Sequence, residues 1–333
     1  MPFHTEDLSQ KSFLVTGGAG FVGSHIVEYL LQHGARKVRV LDNLATGSEK
    51  NLEPFTRYPA FEFMPGDIRN LATCQEACGD IDYVSHQAAL GSVPRSVKDP
   101  VTSNEVNVSG FVNIITAAKE AGVKTFVYAS SSSVYGDEPN LPKVEERVGN
   151  PLSPYAVTKK TNELYAAVFA KLYGMKTIGL RYFNIFGPRQ DPNGPYAAVM
   201  PLFVSGILNG TPVYINGDGG QTRDFTYVDN AVQANVRAML CTNPDAFGEA
   251  YNIAVGENFS VNFLYESIRE ILGKDHQPTY REAREGDIRN SLADISKAQK
   301  LLGYQPTQRF MEGLAQTVAF FKNEHQMPIS SGI

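Results

Sequence analysis

A tyrosine and a lysine four residues apart are the residues of this sequence best suited to acid–base chemistry. Tyr155 and Lys159 stand at the two ends of the segment YAVTK. On a helix they would share one face, which brings the lysine ammonium close to the phenol. A neighbouring positive charge favours the phenolate and lowers a pKa that starts at about 10. The pair predicts a base that takes a proton from a hydroxyl group at neutral pH, and the alternative is two surface neighbours without chemistry.

A run of serines lies upstream of this pair, in the segment ASSSSVYG. The run closes an apolar, β-rich stretch that reads as a buried strand. Doubly wound α/β folds bind their ligands at the carboxyl ends of such strands. The serine hydroxyls are therefore predicted to bond the reacting oxygen and to pass on its proton, unless the run is only a serine-rich loop.

The segment TGGAGFVG near the N-terminus has the spacing of a dinucleotide-binding turn. Gly18, Gly20 and Gly23 satisfy G-x-G-x-x-G, and Gly17, Gly20 and Gly23 satisfy G-x-x-G-x-x-G. A β-rich stretch precedes the glycines and an apolar-periodic helix follows them, which is the context that gives this motif its meaning. Residues without Cβ let the backbone approach a pyrophosphate at the helix N-terminus.

An acid follows this turn at the distance expected for ribose recognition. Asp42 ends the next β-rich stretch, about 20 residues beyond Gly23. Its carboxylate would accept hydrogen bonds from the ribose hydroxyls and repel a 2′-phosphate, which favours NAD over NADP. The alternative is a turn acid that caps the strand end. Asp67 and Ile68 follow the third predicted strand, where they would flank the adenine or simply end the strand.

The elements that must position these residues alternate in the first half of the chain. Strands are predicted at residues 12–16, 37–41, 61–64, 82–86, 125–129 and 177–181, and helices at 21–32, 104–121 and 155–173. This alternation predicts an α/β fold, a doubly wound parallel sheet of the Rossmann type with helices on both faces. Residues 1–184 would form the dinucleotide-binding domain.

The regular alternation of strands and helices stops in the second half, where Pro and Gly interrupt the sequence at residues 186–193, 209–212 and 217–220. Helices are predicted near 228–240, 261–272, 295–302 and 311–321, and a strand near 251–254. Residues 185–333 would mainly form a smaller C-terminal α/β lobe. Segments near 224–254 look regular enough to return to the main sheet.

Composition excludes several classes of function. The 333 residues are 42% hydrophobic and carry a net charge of −5, without the basic face of a nucleic-acid-binding protein. No apolar run is as long as a membrane span, and the polar start MPFHTEDLSQK does not resemble a signal peptide, so a cytoplasmic protein is expected. Cys74 and Cys78 lack partners at zinc spacing, so we expect ordinary thiols and no metal site.

Together these motifs resemble the extended short-chain dehydrogenase/reductase family, and within it the nucleotide-sugar 4-epimerases. The resemblance covers nearly the whole chain, from TGGAGFVGSH to the C-terminal helices. It implies a seven-stranded sheet, a tightly bound NAD and a C-terminal lobe that binds the nucleotide sugar. It also implies a homodimer that pairs the helices near residues 104–121 and 155–173. Tyr155 would be the base, Lys159 would bind the nicotinamide ribose and tune Tyr155, and Ser131 would be the hydroxyl partner.

The resemblance assigns further residues to the two ligands. Cofactor contacts would come from Phe21, Val22, Asn43, Gln87, Ala88, Ala89, Asn107 and Tyr182, beside the glycines, Asp42, Asp67 and Ile68. Substrate contacts would come from Gly91, Ser92, Ser132, Ser133, Asn184, Ala198, Val199, Tyr214, Asn216, Arg223, Arg284 and Ser291. Among these, Arg223 and Arg284 would clamp the diphosphate, because the planar arginine fork matches phosphate oxygens.

The reaction follows from what stands beside Ser131. In the 4,6-dehydratase pattern of this family the neighbouring positions hold Asp-Glu, and decarboxylating relatives place Glu there. Here the neighbours are Ser132 and Ser133, which do not act as carboxylate acids near pH 7. The simplest outcome of oxidation at C4 is then return of the hydride to the opposite face, which is 4-epimerisation.

The sugar is predicted from two local features. The segment GSVPRS is similar to the subgroup that acts on N-acetylated UDP-hexosamines, and Ser291 falls where glucose/galactose epimerases often carry a tyrosine. A small residue leaves room for a 2-acetamido group, which predicts UDP-N-acetylglucosamine and UDP-N-acetylgalactosamine as the pair. Alternatives are an epimerase of UDP-glucose or of a UDP-uronic acid, a C4 reductase using free NADPH, and a non-catalytic NAD-binding regulator.

Overall fold

A seven-stranded parallel sheet forms the centre of the computed structural model, which describes residues 2–192, 197–283 and 289–326. In chain order the described strands are β1 Ser12–Thr16, β2 Lys37–Asp42, β3 Phe61–Pro65, β4 Tyr83–His86, β5 Thr125–Ser131, β6 Thr177–Tyr182, β7 Ile185–Phe186, β8 Tyr214–Asn216, β9 Thr222–Arg223, β10 Thr226–Tyr227, β11 Glu249–Ile253, β12 Phe259–Ser260 and β13 Thr279–Arg281. The main sheet has the order β11-β6-β5-β4-β1-β2-β3. The predicted doubly wound fold is confirmed.

Helices cover both faces of this sheet. The described helices are α1 Phe21–Gln32, α2 Leu71–Cys78, α3 Val93–Lys98, α4 Pro100–Asn104, α5 Gly110–Glu120, α6 Pro154–Tyr173, α7 Val199–Asn209, α8 Val228–Met239, α9 Val261–Leu272, α10 Ser296–Leu302 and α11 Phe310–Gln326. Apolar side chains alternate along β5 between two cores. Val127 faces the core that includes α1 and α8, whereas Phe126 and Tyr128 face the core that includes α2 and α5. Strands buried on both faces read as continuous apolar runs, which is why the sequence located them.

The helix predicted at 104–121 differs most from the structure. It begins earlier, at α4, and passes through one π-helical turn at Glu105–Ser109 before α5. Within that turn Asn107 points inward and bonds both backbone groups of Leu90, donating to its carbonyl at 3.2 Å and accepting from its N–H at 2.8 Å. A π-turn inserts one residue into a helix and is frequent at functional sites. Hydrophobic periodicity alone does not reveal it.

Three helices were not predicted, namely α2, α3 and α7. The first two are short, and their start signals are single capping side chains. Asn70 accepts from the N–H of Thr73 at the start of α2, and Ser92 accepts from the N–H of Arg95 at the start of α3. The third, α7, is apolar along most of its length because it is buried in the smaller lobe, with α9 and α11.

The smaller lobe shares elements with the main sheet. Strand β11 pairs in parallel with β6 at the edge of that sheet, and α8 packs on the same face as α1. The helix α10 also packs in the core that includes α1 and α8, whereas α7, α9 and α11 form a separate apolar cluster beside three two-stranded sheets. The boundary at residues 184/185 remains a prediction.

None of the described helices is both long and apolar enough to cross a membrane. Cys74 and Cys78 lie one turn apart on α2 and are buried, and burial raises the pKa of both thiols to about 12. Both thiols are therefore protonated at neutral pH. The Cys74 thiol donates to the carbonyl of Ile68 at 3.2 Å.

Candidate active site

The glycine-rich turn brings two strand ends and the start of α1 into close contact. Gly17 has φ +70°, and a Cβ at this position would lie 2.7 Å from the backbone nitrogen of Ala88. A Cβ at Gly23 would lie 2.1 Å from the carbonyl oxygen of Gly17. Only glycine fits either position, because any side chain would overlap the backbone. Gly20 caps α1 with no side-chain hydrogen bond, so the first N–H groups of the helix remain available to an anion.

A single cleft runs from this turn to the serine run. The predicted cofactor residues on its surface are Gly17, Gly20, Phe21, Val22, Gly23, Asp42, Asn43, Asp67, Ile68, Gln87, Ala88, Ala89, Tyr155, Lys159 and Tyr182. The exception is Asn107, which lies behind the cleft wall. It binds the backbone of Leu90 and donates to the hydroxyl of Thr158 at 3.2 Å, so it holds residues of the cleft wall without facing the cleft itself.

The carboxylate of Asp42 sits at the end of β2, at one end of this cleft. Its Oδ2 accepts from the N–H of Ala19 at 2.9 Å, and its Oδ1 accepts from the N–H of Leu44 at 2.8 Å. Burial raises the pKa of Asp42, while these two backbone bonds lower it. A carboxylate has about four acceptor positions, so two remain for the hydroxyls of a ribose. The predicted preference for NAD fits this geometry.

Asp67 and Asn43 form the wall beside Asp42. The Asn43 amide donates to Asp67 Oδ2 at 3.0 Å, and Arg69 forms an ion pair with the same carboxylate at 2.6 Å. The hydrogen bond from Arg69 is the main cause that lowers the pKa of Asp67 to about 2. Asp67 is therefore ionised at physiological pH, and the guanidinium of Arg69 offsets its negative charge.

Tyr155 and Lys159 lie at the opposite end of the cleft, on the first turns of α6. The Lys159 ammonium donates to the carbonyl of Ala129 at 2.8 Å and lies 5.8 Å from the centroid of the Tyr155 ring. Burial lowers the pKa of Lys159 to about 8. The expected lowering of the phenol pKa by Lys159 does not dominate. Burial raises the pKa of Tyr155, and the opposing effect is a hydrogen bond with Ser131.

The start of α6 is fixed by three side chains. Ser153 is the N-cap and accepts from the N–H of Ala156 at 3.2 Å, and Pro154 occupies the first turn. The N–H of Tyr155 donates to the buried hydroxyl of Ser96, on α3, at 3.0 Å. This bond ties α3 to the catalytic turn and was not predicted, because α3 itself was not.

The serine run divides between the cleft and the protein interior. Ser131 lines the cleft and accepts from the N–H of Ser133 at 3.2 Å. Ser132 and Ser133 begin the short 3₁₀ turn that follows, and the Ser133 hydroxyl is buried without a hydrogen-bond partner among the described residues. Ser130 turns the other way and donates to Glu163 at 2.7 Å, within a buried ion pair of Glu163 and Arg181.

The predicted substrate residues fall into two groups. Gly91 lies on the cleft with the cofactor residues, and Ser92 caps α3 next to it. The others belong to the smaller lobe or its junction with the sheet, and these are Asn184, Ala198, Val199, Tyr214, Asn216, Arg223 and Ser291. Arg284 lies outside the described residues.

Two of the lobe residues meet at one backbone carbonyl. The N–H of Ser291 donates to the carbonyl of Thr222 at 3.1 Å, and Nη1 of Arg223 donates to the same oxygen at 2.9 Å. Ser291 is buried, with 9% of its surface exposed. Two residues further on, Ala293 packs with Val134, just after the serine run. The chain around Ser291 therefore bridges the lobe and the catalytic end of the sheet.

Backbone strain marks the junction at Asn184. Its φ is +39°, in the left-handed region that non-glycine residues rarely occupy. Its amide donates to the carbonyl of Asp224 at 3.2 Å, and its own carbonyl accepts from the N–H of Thr226. Residues held in such conformations cluster at functional sites, which agrees with the predicted role of Asn184.

Tyr214, another predicted substrate residue, is half-exposed and stacks under Arg281, whose guanidinium carbon lies 3.2 Å from the ring centroid.

Sequence reasoning missed several cleft residues, namely Leu41, Ala45, Thr46, Gly66, Leu90, Val106 and Ala129. Most are neighbours of predicted residues, at strand ends where backbone or aliphatic groups face the ligand. Proximity to the motifs was the only signal available for them. Their side chains carry no chemistry that a spacing rule detects.

Comparison with known proteins places the chain among NAD-dependent enzymes of sugar nucleotides. The model of the "NAD dependent epimerase/dehydratase family" matches residues 13–254. The UDP-glucose 4-epimerase of Mycolicibacterium smegmatis is 39% identical over 315 residues, which is 94% of this chain and 99% of that protein.

Two solved structures show the range of relatives. A UDP-N-acetylglucosamine 4-epimerase from Methanobrevibacter ruminantium M1, in complex with UDP-N-acetylmuramic acid, is 40% identical, with a TM-score of 0.89 and 95% and 99% of the two chains covered. The UDP-glucuronic acid 4-epimerase from Bacillus cereus, in complex with UDP-glucuronic acid and NAD, is 33% identical, with a TM-score of 0.86 over 94% and 99% of the chains.

Proposed function

The chain belongs to the NAD-dependent epimerase/dehydratase family, and we propose that it interconverts UDP-N-acetylglucosamine and UDP-N-acetylgalactosamine by inverting C4. Relatives of this chain are 4-epimerases of UDP-sugars, and NAD is the cofactor of the family. What the proposal adds is the choice of sugar and the assignment of roles to individual residues.

The distribution of carboxylates along the cleft carries the proposal of a simple epimerisation. Among the described residues that line the cleft, the carboxylates are Asp42 and Asp67. Asp42 ends β2 and Asp67 follows β3, and the strands β1 and β4 separate them from β5, where the serine run begins. The catalytic end thus holds the Tyr155 phenol, hydroxyl groups and the Lys159 ammonium. Elimination of water or loss of a carboxyl group would need a further acid or base there, so epimerisation is the outcome that these groups support.

NAD fits the cleft on grounds of chemistry and space. The glycine turn leaves room for a pyrophosphate at the N-terminus of α1, and Asp42 has free acceptor positions for the ribose hydroxyls. Gln87, Ala88, Ala89 and Tyr182 would form the wall beside the nicotinamide. The chemistry that bound NAD supplies is reversible hydride transfer at the sugar C4.

Tyr155 and Ser131 would bind the sugar 4-hydroxyl and transfer its proton. Ser131 would hold the hydroxyl and share a hydrogen bond with Tyr155, and the deprotonated Tyr155 oxygen would accept the proton as C4 becomes a ketone. Tyr155 would return this proton to the sugar oxygen when C4 is reduced again. Lys159, fixed by the carbonyl of Ala129, keeps a positive charge near the phenol and binds the nicotinamide ribose. Inversion requires the 4-keto sugar to turn over about its diphosphate, which Arg223 would hold.

The surroundings of Ser291 support the N-acetylated sugar. Ser291 is anchored beside Arg223 through the carbonyl of Thr222, and its chain continues to the packing of Ala293 on Val134, next to the serine run. A serine at this place would leave space that a tyrosine would fill. One steric difference of this kind is worth about 1–3 kcal/mol of selectivity, so a preference for the 2-acetamido group is expected.

A panel of three substrates tests this choice. We expect kcat/KM to be highest for UDP-N-acetylglucosamine, lower by about tenfold or more for UDP-glucose, and lower again for UDP-glucuronic acid. Equal or higher kcat/KM for either of the latter two would keep the 4-epimerase mechanism and contradict the proposed sugar.

A homodimer is the second part of the proposal. The large apolar side chains that are exposed on α3, α4 and α6 are Val93, Val97, Val101, Val157, Leu164, Tyr165, Val168, Leu172 and Tyr173. Val101 and Leu172 each keep 67% of their surface exposed. Large exposed apolar patches on a folded chain mark interaction sites. A second copy of this chain would cover the patch with the same helices, while Lys159 on the buried side of α6 stays in its own cleft.

A further inference from the structure

A closed ring of hydrogen bonds lies directly behind one wall of the cleft. Tyr182 donates from its hydroxyl to Gln87 Oε1 at 3.1 Å, Gln87 donates from Nε2 to Asn235 Oδ1 at 3.0 Å, and Asn235 donates from Nδ2 to the Tyr182 hydroxyl at 2.6 Å. Two of the three residues, Gln87 and Tyr182, line the cleft. The third, Asn235, comes from α8 and is fully buried.

Ser85 and the backbone of α8 add further hydrogen bonds to this ring. Ser85 donates to Asn235 Oδ1 at 3.0 Å and accepts from Gln87 Nε2 at 3.0 Å, and Asn235 Nδ2 also donates to the carbonyl of Ala231 at 2.8 Å. Every N–H and O–H of the four side chains is thereby used. The wall presents only acceptor lone pairs and the tyrosine ring to whatever lies in the cleft.

Asn235 holds both wall residues from the helix that covers them. Gln87 follows β4, and Tyr182 ends β6, so the two lie on either side of β5, the strand that ends at Ser131. Their side chains lie on the face of the sheet covered by α8, opposite the face that carries Lys159. An asparagine amide supplies one acceptor oxygen and two donor hydrogens in a fixed plane, which is what its four partners require.

We propose that Asn235 is a positioning residue for the cofactor, which fixes the Gln87 amide and the Tyr182 phenol as a rigid wall without free donors. Such a wall favours a cofactor group that donates hydrogen bonds to it, as the carboxamide of a nicotinamide does. The inference rests on NAD as the cofactor of the family and does not depend on which sugar is the substrate.

Exchange of the bound cofactor measures this role without using turnover. The purified holoprotein is mixed with excess etheno-NAD, and its incorporation is followed by fluorescence. Asn235→Ala should exchange NAD about three- to tenfold faster than the wild type, since the net effect of losing neutral hydrogen bonds lies in this range. Asn235→Asp keeps the shape and an acceptor oxygen of the side chain but loses the amide donor, so it should also exchange bound NAD faster. This variant replaces Asn235→Ala in the test if the alanine variant does not fold.

Asn230→Ala is the matched control. Asn230 is equally buried on the same helix, but its amide binds the backbone of Thr307 and Gln308, away from the cleft. Its loss should lower the unfolding temperature and leave the exchange rate of the folded protein unchanged. A general effect of loosening α8 would accelerate exchange in both variants, and that result would overturn the proposal.

A double variant tests whether Asn235 acts through Tyr182. Tyr182→Phe removes the hydroxyl that Asn235 holds, so Asn235→Ala should accelerate exchange less in this background than in the wild type. Independent, multiplicative effects of the two substitutions would contradict the proposed ring. So would wild-type exchange in the folded Asn235→Ala and Asn235→Asp variants.

Discussion

The ammonium of Lys159 donates to the backbone carbonyl of Ala129 at 2.8 Å, two residues before Ser131 on the same strand. The helix that carries the base is thereby joined to the strand that carries its hydroxyl partner. Because the lysine is buried, its pKa falls to about 8, and its charge becomes sensitive to pH in a range where an exposed lysine would not titrate.

The first prediction is an alkaline decline of turnover set by Lys159. A pKa lowered from 10.5 to about 8 means that the ammonium is present below about pH 8 and is lost as pH rises through that value. We therefore expect kcat to fall with a midpoint near pH 8. Lys159→Arg keeps a charge that is not lost below pH 12, so its decline should move to higher pH even if its maximal rate is lower. An identical midpoint in both proteins would assign the decline to another group.

The second prediction concerns Tyr155→Phe. The substitution keeps the buried ring and removes the phenolic oxygen that accepts the proton. General acid–base catalysis contributes about 10²- to 10⁴-fold, so kcat should fall by at least two orders of magnitude. The NAD content, measured from the absorbance of the protein-free extract, should match that of the wild type. Turnover near the wild-type value would remove Tyr155 from the mechanism.

The third prediction concerns the choice of cofactor by Asp42. Asp42→Asn reduces the acceptor capacity of the side chain and removes its charge, so bound NAD should exchange about ten- to a hundredfold faster. NADP should then compete for the site, since the repulsion of its 2′-phosphate is gone. Asp67→Asn is the control, because Asp67 lies on the same cleft but already pairs with Arg69. If Asp67→Asn binds NADP and Asp42→Asn does not, then Asp67, and not Asp42, is the residue that selects NAD.

The fourth prediction tests the space beside the sugar. In Ser291→Tyr, the ratio of kcat/KM for UDP-N-acetylglucosamine over UDP-glucose should fall by about 10- to 200-fold. The ratio is measured within one protein, so a loss of stability from the larger side chain affects both substrates equally. Ser291→Ala, which stays small, should keep the wild-type ratio. An unchanged ratio in the tyrosine variant would place the acetamido pocket elsewhere.

The fifth prediction tests the homodimer. Leu164→Glu puts a charge in the middle of the exposed apolar patch of α6, and sedimentation should shift from dimer to monomer at micromolar concentration. Leu202→Glu is the control, since Leu202 is also exposed but belongs to α7 in the smaller lobe. A wild-type protein that sediments as a monomer, or a dimer that survives Leu164→Glu, would contradict the proposed interface.

Much of this site was predictable because its signals are local. The strands of the main sheet are apolar runs, the glycine turn is one contiguous segment, and Tyr155 and Lys159 are one helical turn apart. Each of these patterns is imposed by the backbone over a few residues. Asp42 is only slightly more distant, because a strand of the expected length fixes where it ends.

The remaining features depend on contacts between segments far apart in the chain. Asn235 reaches Gln87 across 148 positions, and nothing in the sequence of α8 distinguishes it from the other buried amides of that helix. The inward turn of Asn107 needs the π-helical insertion, which hydrophobic periodicity averages away. The burial of Tyr155 is likewise a result of packing, and it raises the pKa of the phenol although the Lys159 ammonium lies 5.8 Å from the ring centroid, so the expected lowering was wrong.

The most direct test of the account is proton NMR of the purified protein with UDP-N-acetylglucosamine in D₂O, without added cofactor or reductant. UDP-N-acetylgalactosamine should appear with protium at C4, because the hydride that leaves the sugar returns to it from bound cofactor. Deuterium at C4, or no C4 epimer from any UDP-hexose or UDP-uronic acid while NAD is bound, would contradict the proposed mechanism.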